Sequence, residues 1–299
     1  MKEKVLDVRT IHQCNGCFDC TTLHPLVSVL RLEDACIDSL VVRLGFYTVM
    51  LVEHEEGKSC CGCSHCDYAD ATMFFLLPGQ EFKVEGRDDG QGRKGWLLAF
   101  HPDLLGNTTL PRPADRYTYF LYNKEEALHL SLREKEQIMD CLRATDKELH
   151  HPVDRHSGTL MVRHIELLLD YCSRFYERQF IIREEKNKSL CADFERYWID
   201  YVREGGLLDG RFPTVEACAS FLHLSPQYFT DLLRFQFGMP PADYFRLRRM
   251  ELARQMLQEG KMTTGEIARW LGFPSVQQFS LCFKRLTGLS PSVYRLSRN

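Results

Sequence analysis

The sequence lacks a hydrophobic run long enough to cross a bilayer. Its longest apolar stretch, residues 40–52, is interrupted by Arg43 and Gly45, whereas a membrane-spanning helix needs about 20 consecutive, mostly apolar residues. The N-terminus, with Lys2 and Lys4, also lacks the apolar core of a secretory signal peptide. We therefore expect a cytoplasmic protein with no membrane partner.

Recognisable catalytic motifs are also missing. The sequence contains no glycine loop of the kind that binds phosphate and no nucleophile elbow. No His-x-His pair followed by glutamate occurs among the histidines of the N-terminal part of the chain, which are His12, His24, His54, His65 and His101. These absences predict that the chain is not an enzyme.

The chain has little net charge, −3, although nucleic-acid-binding proteins are usually basic. The charge is unevenly distributed, however. Residues 190–299 carry 14 Lys and Arg against 11 Asp and Glu, and the rest of the chain carries 24 against 30. With 299 residues the chain is long enough for two domains. The asymmetry predicts a weakly basic C-terminal domain joined to an acidic one.

Residues 1–128 have the pattern of a β-rich domain. Short apolar runs at residues 40–52, 73–77 and 96–100 are separated by segments that contain Gly and Pro. Many short strands with turn signals between them are typical of a sandwich or a small barrel. With the helices that follow, the whole chain is expected to be of the α+β class.

From Ser131 the hydrophobic period becomes helical. Ser131 and Glu134 predict a capping box, and a second apolar stripe covers residues 157–178. We expect residues 129–185 to form a helical linker region that makes the chain a homodimer, with residues 183–189 as the charged link to the next domain. Residues 186–299 form the third region.

The C-terminal part of the chain contains an internal repeat. Residues 215–244 and 264–294 agree in the order of core positions, turn and glycine stop. The matched pairs are Ala219 with Ala268, Leu222 with Leu271, Phe229 with Phe279, Leu233 with Phe283, Arg234 with Lys284, Gly238 with Gly288, Pro241 with Pro291 and Tyr244 with Tyr294. Each copy predicts a short helix, a tight turn and a longer helix, which is the helix-turn-helix pattern.

The second helix of each copy, residues 225–237 and 275–287, is expected to enter the major groove. A connecting helix over residues 241–259 would be about 28 Å long, comparable with the spacing of about 34 Å between successive major-groove faces. We expect the inner face of the last helix to include Cys282 and Leu286. The predicted DNA-binding residues are Ser225, Gln227, Tyr228, Thr230, Asp231, Arg234, Ser275, Val276, Gln277, Ser280, Leu281 and Lys284.

Residues 190–299 resemble the AraC/XylS family of bacterial regulators. The second copy is the most specific part, with Ile267-Ala268, Gly272-Phe273, Thr287-Gly288 and Pro291 to Tyr294 alongside the aromatic core positions. Residues 23–29 and 77–80 more loosely resemble the cupin-type, jelly-roll effector domain of many such regulators. The resemblance implies promoter binding controlled by the N-terminal domain. The implied partners are double-stranded promoter DNA, a second copy of the chain, an unidentified small-molecule or metal effector and, for an activator, RNA polymerase.

The sequence departs from the family pattern at Asp231. A carboxylate on a recognition helix is repelled by phosphate unless it accepts a hydrogen bond from a cytosine amino group. The first helix-turn-helix unit is therefore expected to bind DNA weakly or mainly through phosphates.

Clustered cysteines are the second departure. Of the 13 cysteines, eight lie between Cys14 and Cys66. Seven of them, in two tight groups, are the predicted metal ligands: Cys14, Cys17, Cys20, Cys60, Cys61, Cys63 and Cys66. Pairs of thiols at this spacing can complete a tetrahedral zinc site. An iron–sulfur cluster, a thiol–disulfide switch and a soft-metal sensor are the alternatives.

The remaining single cysteines are expected to be small buried hydrophobic residues. They are Cys141, Cys172, Cys191, Cys218 and Cys282. A different function also fits the cysteine clusters: a thiol-dependent repair enzyme fused to the DNA-binding unit, with a cysteine as methyl or oxidant acceptor.

Overall fold

The computed structural model describes residues 5–34, 40–53, 70–84, 94–105 and 113–296. The chain divides into two compact units, Met1–Arg183 and Glu184–Asn299. Within the described residues, every β-strand belongs to the N-terminal unit, and the C-terminal unit is helical. The predicted α+β class is confirmed.

Two sheets form the N-terminal unit. The strands are β1 (Val5–Val8), β2 (Val27–Arg31), β3 (Leu40–Leu44), β4 (Tyr47–Glu53), β5 (Ala71–Leu76), β6 (Glu81–Val84), β7 (Gly95–Phe100) and β8 (Leu128–Leu130). The smaller sheet has the order β1-β3-β6 and the larger one β2-β7-β4-β5-β8. All pairs are antiparallel except β1 with β3.

One core cluster of this unit joins the two sheets, with Val8 and Val42 from the smaller sheet and Leu97 from the larger one. Strand β7 lies between β2 and β4 and is buried on both faces, which explains its almost continuous apolar sequence. Tyr47 stacks on Phe100 with ring centroids 5.2 Å apart, and Phe75 meets Phe120 edge to face. The first contact lies within the larger sheet, and the second joins that sheet to the segment that follows β7.

The helices of the N-terminal unit are α1 (Ile11–Gly16), α2 (Pro113–Arg116), α3 (Leu132–Leu149) and α4 (Ser157–Ile182). The capping box of Ser131 and Glu134 is present, as predicted. Helix α4 buries Ile165, Leu168 and Leu169, so most of its apolar stripe is core. Gln179 accepts from the His129 N–H and donates to the Ala127 carbonyl, which fastens α4 to β8.

Residues 183–189 are helical from Glu184 onward, where a charged link between domains was expected. They begin α5 (Glu184–Arg203), whose first turn is stabilised by an ion pair between Lys188 and Glu184 at 2.7 Å. Opposite charges four residues apart lie on the same face of a helix, which favours helix over extended chain.

The C-terminal unit continues with six more helices in the order that the repeat predicts. They are α6 (Val215–Phe221), α7 (Pro226–Phe237), α8 (Pro241–Glu259), α9 (Thr264–Trp270), α10 (Val276–Thr287) and α11 (Pro291–Leu296). One apolar cluster contains core residues from both copies, including Phe229 and Phe279, and is completed by Trp198 from α5. Among the described residues no helix is both long and apolar enough to span a membrane.

Candidate nucleic-acid interface

The first helix-turn-helix unit consists of α6 and α7. The Thr214 hydroxyl accepts from the Ala217 N–H and starts α6. The turn passes through His223, which has a φ of 56°. The Ser225 hydroxyl then accepts from the Tyr228 N–H at 3.2 Å and caps α7, and Gly238 ends that helix in the left-handed region. These local signals fix where the recognition helix begins and ends.

Two residues predicted to contact DNA from α7 do not lie on its outer surface. Tyr228 is only 3% exposed, and Ser225 is 2% exposed with its hydroxyl engaged in the cap. Tyr228 shares the inner face of α7 with Phe229 and Leu232. The side chains of Tyr228 and Ser225 therefore serve the core and the cap, and the outer face of α7 is formed by other residues.

The outer face of α7 carries Gln227, Thr230, Asp231 and Arg234. Asp231 accepts hydrogen bonds from Gln227 Nε2 at 3.1 Å and from Arg234 Nη1 at 3.5 Å. The Thr230 hydroxyl donates to the Pro226 carbonyl at 2.9 Å. The polar side chains of this face are thus connected to each other and to the helix backbone.

The second unit consists of α9 and α10. Thr263 and Glu266 form a capping box at the start of α9. The Ser275 hydroxyl accepts from the Gln278 N–H and caps α10, as predicted, and Gly288 ends it. Like Ser225, Ser275 serves the cap, although its side chain is half-buried rather than buried.

Helix α10 exposes more of its surface than α7. Of its residues only Phe279 and Phe283 are buried, so a narrow stripe holds it against the core. Gln277, Lys284 and Val276 are exposed, and Ser280 is half-buried. The Leu281 side chain is 69% exposed, which leaves an apolar group on the outer face of this helix.

The prediction that Cys282 and Leu286 face inward was wrong. Both are exposed, because the stripe formed by Phe279 and Phe283 leaves them to one side. The other single cysteines, Cys141, Cys172, Cys191 and Cys218, are buried as expected.

The electrostatics of the two recognition helices differ. Helix α10 contains Lys284 and Arg285 in its last turn and has no carboxylate in its sequence. Helix α7 has a single basic residue, Arg234, next to Asp231. The second unit is therefore the more favourable surface for a phosphate backbone.

Two contacts that the sequence did not reveal join the helix-turn-helix units. Arg249 of α8 places its guanidinium over the rings of Phe212, at 4.7 Å, and Phe273, at 4.1 Å. Burial lowers the pKa of Arg249 from its usual value. Gly272, in the turn of the second unit, lies against the backbone of Leu207 and Gly210 before the first unit. These contacts hold the two units in one arrangement.

The predicted metal ligands lie partly outside the described residues, namely Cys60, Cys61, Cys63 and Cys66. Cys14 is buried, and Cys17 and Cys20 are half-buried. The Cys17 thiol donates to the Gln13 carbonyl and the Cys20 thiol to the Phe18 carbonyl. In the part of the chain that the structure describes, no group of three or more His, Cys, Asp or Glu side chains is arranged to hold a metal ion.

The environments of Cys14 and Cys17 do not favour the thiolate form. Burial, with the neighbouring Cys17 and Cys20, raises the pKa of Cys14 to about 12, and burial raises the pKa of Cys17. A reactive cysteine instead has a lowered pKa, because the thiolate is the attacking species. These thiols do not favour the alternative of a thiol-dependent repair enzyme.

Comparison with known proteins places the C-terminal unit among DNA-binding domains. The family model described as "Helix-turn-helix domain" matches residues 218–297. The probable transcriptional regulator LumQ of Photobacterium leiognathi is 33% identical over 82 residues, which are 27% of this chain and 33% of LumQ. A putative AraC-like transcription regulator of Streptomyces antibioticus is 26% identical over 178 residues, 54% of this chain and 52% of that protein.

Among solved structures, the C-terminal domain of AraT from Geobacillus stearothermophilus is similar. It is 28% identical, with a TM-score of 0.29, and the match covers 35% of this chain and 85% of that domain.

The C-terminal unit is a double helix-turn-helix domain. Residues 218–297 form a DNA-binding domain of the AraC type, which confirms the family resemblance. The match to LumQ spans about a third of the length of that relative.

Proposed function

We propose that the chain is a sequence-specific transcriptional regulator that binds double-stranded promoter DNA through α7 and α10. The observation that carries this proposal is the pair of capped recognition helices with exposed polar outer faces, joined through one core. The relatives are named as transcriptional regulators, in agreement with the prediction that the chain is not an enzyme.

On α10 we assign base reading to Gln277 and Leu281 and phosphate binding to Lys284. A glutamine amide can form two hydrogen bonds with adenine, and an apolar side chain can contact the methyl group of thymine. A lysine that neutralises one phosphate releases condensed counterions but carries no sequence information.

We predict opposite signatures for Gln277→Ala and Lys284→Ala. Gln277→Ala should reduce the preference for one base pair by about tenfold with little change in binding to random DNA. Lys284→Ala should weaken binding to all sequences and reduce the slope of log K against log salt by about one. Fluorescence anisotropy with target and random duplexes at several salt concentrations measures both. An equal loss on both duplexes for Gln277→Ala would contradict its base-reading role.

We also propose that the chain forms a homodimer through α4, within the helical region of residues 131–178 and its extension to Ile182. Most apolar residues of α4 face the core, but Leu160, Leu167 and Ile181 are exposed. Leu160 and Leu167 are seven residues apart and Ile181 lies fourteen residues after Leu167, so all three lie on one side of the helix, with the exposed Arg174 at the intervening heptad position. A stripe of this kind is suited to pack against the same stripe of a second copy.

Leu167→Glu is therefore expected to convert the dimer to a monomer. A glutamate in the middle of the stripe would bury an unpaired charge in the interface. Sedimentation equilibrium of the full chain measures the change. Leu296→Glu is the control, because Leu296 is 78% exposed and lies in the C-terminal unit. A wild-type chain that is monomeric at micromolar concentration would contradict the dimer.

For the N-terminal region, residues 1–128, we propose a cupin-like sensor domain. An open pocket with a volume of about 20 Å³, room for about one water molecule, lies beside β5 and β6. Its lining includes the aromatic side chains of Phe75, Tyr119 and Tyr176, with Asn123 and Lys124 as polar groups. A mostly apolar lining with a few polar groups is typical of small-molecule sites. The chemistry of this lining, and not the volume of the pocket, supports a small-molecule effector as one class of signal.

A metal is the other class of signal, and we propose zinc held by the two cysteine groups, with an iron–sulfur cluster as the alternative. The spacing of the seven thiols in the sequence supports the proposal. Because a ligating thiol must lose its proton, metal affinity is expected to rise with pH and to fall on acidification.

Metal analysis of protein purified without oxygen tests this proposal. We expect about one equivalent of metal or more, lost on acidification, with colour only for iron–sulfur. Cys17→Ser should reduce the content, whereas Cys141→Ser, which removes a buried thiol of α3, should not. A wild-type protein with less than about 0.2 equivalents of metal and freely titratable thiols would contradict the metal site and leave a redox switch.

A further inference from the structure

Asp231 occupies the centre of a hydrogen-bonded group on the outer face of α7. Its carboxylate accepts from Gln227, one turn earlier, at 3.1 Å and from Arg234, one turn later, at 3.5 Å. Residues at these spacings lie on the same side of a helix. The Asp231 side chain is only 16% exposed, whereas that of Arg234 is 55% exposed. The carboxylate is thus mostly buried, and the guanidinium is presented outward.

This arrangement changes the effect that a carboxylate on a recognition helix is expected to have on DNA binding. An isolated acid would repel phosphate, but here a positive guanidinium lies next to it. Arginine has five N–H donors in a planar fork, and the bond to Asp231 is made by Nη1. The fork that binds a carboxylate on one edge can offer another edge to O6 and N7 of guanine.

We infer that Asp231 is a positioning residue that holds Gln227 and Arg234 in base-reading conformations, so that the first helix-turn-helix unit reads sequence. Arg234 would recognise a guanine and Gln227 a neighbouring adenine, the bases that these side chains contact with two hydrogen bonds. The inference rests on the proposed function, and it assigns to α7 a role beyond phosphate contact.

The effect of Asp231→Asn separates positioning from repulsion. If Asp231 only repels DNA, removing its charge strengthens binding to every sequence and leaves the base preference as it was. If Asp231 positions Arg234, the substitution releases the guanidinium, and the preference for guanine at one position falls. The two roles therefore differ in which quantity changes.

The control is a second Asp–Arg pair with the same spacing. Asp243 and Arg246 of α8 form an ion pair at 2.8 Å, one helical turn apart, with both side chains exposed. Asp243→Asn also removes one negative charge from the C-terminal unit, and it leaves the residues of α7 unchanged. It reports the general effect of charge on DNA affinity.

The experiment uses the full chain and a library of random duplexes, with sequencing of the bound fraction. We expect the wild type to prefer one guanine in the half-site of α7 by about tenfold or more, and Asp231→Asn to reduce that preference to less than about threefold. Asp243→Asn should keep the wild-type preference for that guanine. In an Arg234→Ala background, Asp231→Asn should cause no further loss, a coupling that a general stability effect would not produce.

Other outcomes overturn the inference. A preference that survives in Asp231→Asn while all sequences bind more tightly would make Asp231 a simple source of repulsion. A wild type that selects bases only in the half-site of α10 would also overturn it and leave the proposed function standing. A wild type that selects no sequence in either half would contradict both.

Discussion

Replacing Gly272 with alanine is expected to destabilise the C-terminal unit by more than about 4 kcal/mol, an exceptional value for a single substitution. Gly272 has a φ of +69°, and an added Cβ would lie 1.8 Å from the Leu207 carbonyl oxygen and 2.5 Å from the Gly210 nitrogen. Both are backbone atoms that cannot rotate away. The turn of the second unit and the loop before the first would have to separate.

Gly260→Ala is the matched control for Gly272→Ala. Gly260 has the same φ of +69°, but nothing lies within 4 Å of an added Cβ. It carries only the strain of a left-handed alanine, about 1 kcal/mol. Amide hydrogen exchange of α8 and α9 in the full chain measures the stability of this unit. Equal losses for the two variants would show that the contact between the helix-turn-helix units is dispensable.

Phe279→Ala is expected to produce the second large effect, a loss of about 3–5 kcal/mol. Phe279 is fully buried and lies 5.3 Å from the ring of Phe273 and 5.7 Å from that of Phe283. Because only two residues of α10 are buried, a cavity at one of them removes much of the packing that holds the helix in place.

Leu281→Ala provides the contrast on the same helix. Leu281 is exposed, so its truncation should change stability by less than about 0.5 kcal/mol and alter the preference for thymine in the half-site of α10. Hydrogen exchange of α10 and base preference are measured on both variants. A large loss of stability in Leu281→Ala would contradict its assignment to the DNA-facing surface.

The features that sequence alone predicted well are those with local causes. The caps at Ser225 and Ser275 and the stops at Gly238 and Gly288 are set by the conformations of a few neighbouring residues, so both recognition helices were placed correctly. The repeat then supplied their order.

Side-chain facing was harder to predict because it depends on how many residues a helix buries. Helix α7 buries four residues, Tyr228 among them, while α10 buries two and exposes Cys282 and Leu286. The periodicity of an isolated helix does not specify the width of its contact. From apolar spacing alone, Tyr228 was predicted to lie outside the core of α7, although it is buried. Cys282 and Leu286 were predicted to lie inside the core of α10, although they are exposed.

Contacts between distant segments were beyond the sequence patterns. Arg249 lies between two aromatic rings from well-separated parts of the chain, those of Phe212 and Phe273. Gly272 was recognised as part of a family motif, but its approach to Leu207 requires the folded C-terminal unit. Asp231 was seen as a charge, and its hydrogen bonds to Gln227 and Arg234 appear only in the folded helix.

We propose that α7 and α10 of one chain enter successive major grooves on one side of a duplex. The connecting helix α8 has 19 residues and a length of about 28 Å. Hydroxyl-radical footprinting of the full chain on its selected duplex tests this claim most directly. We predict two protected segments per chain, centred about 10 base pairs apart on the same face. A single protected segment per chain, or protection on opposite faces, would contradict the account.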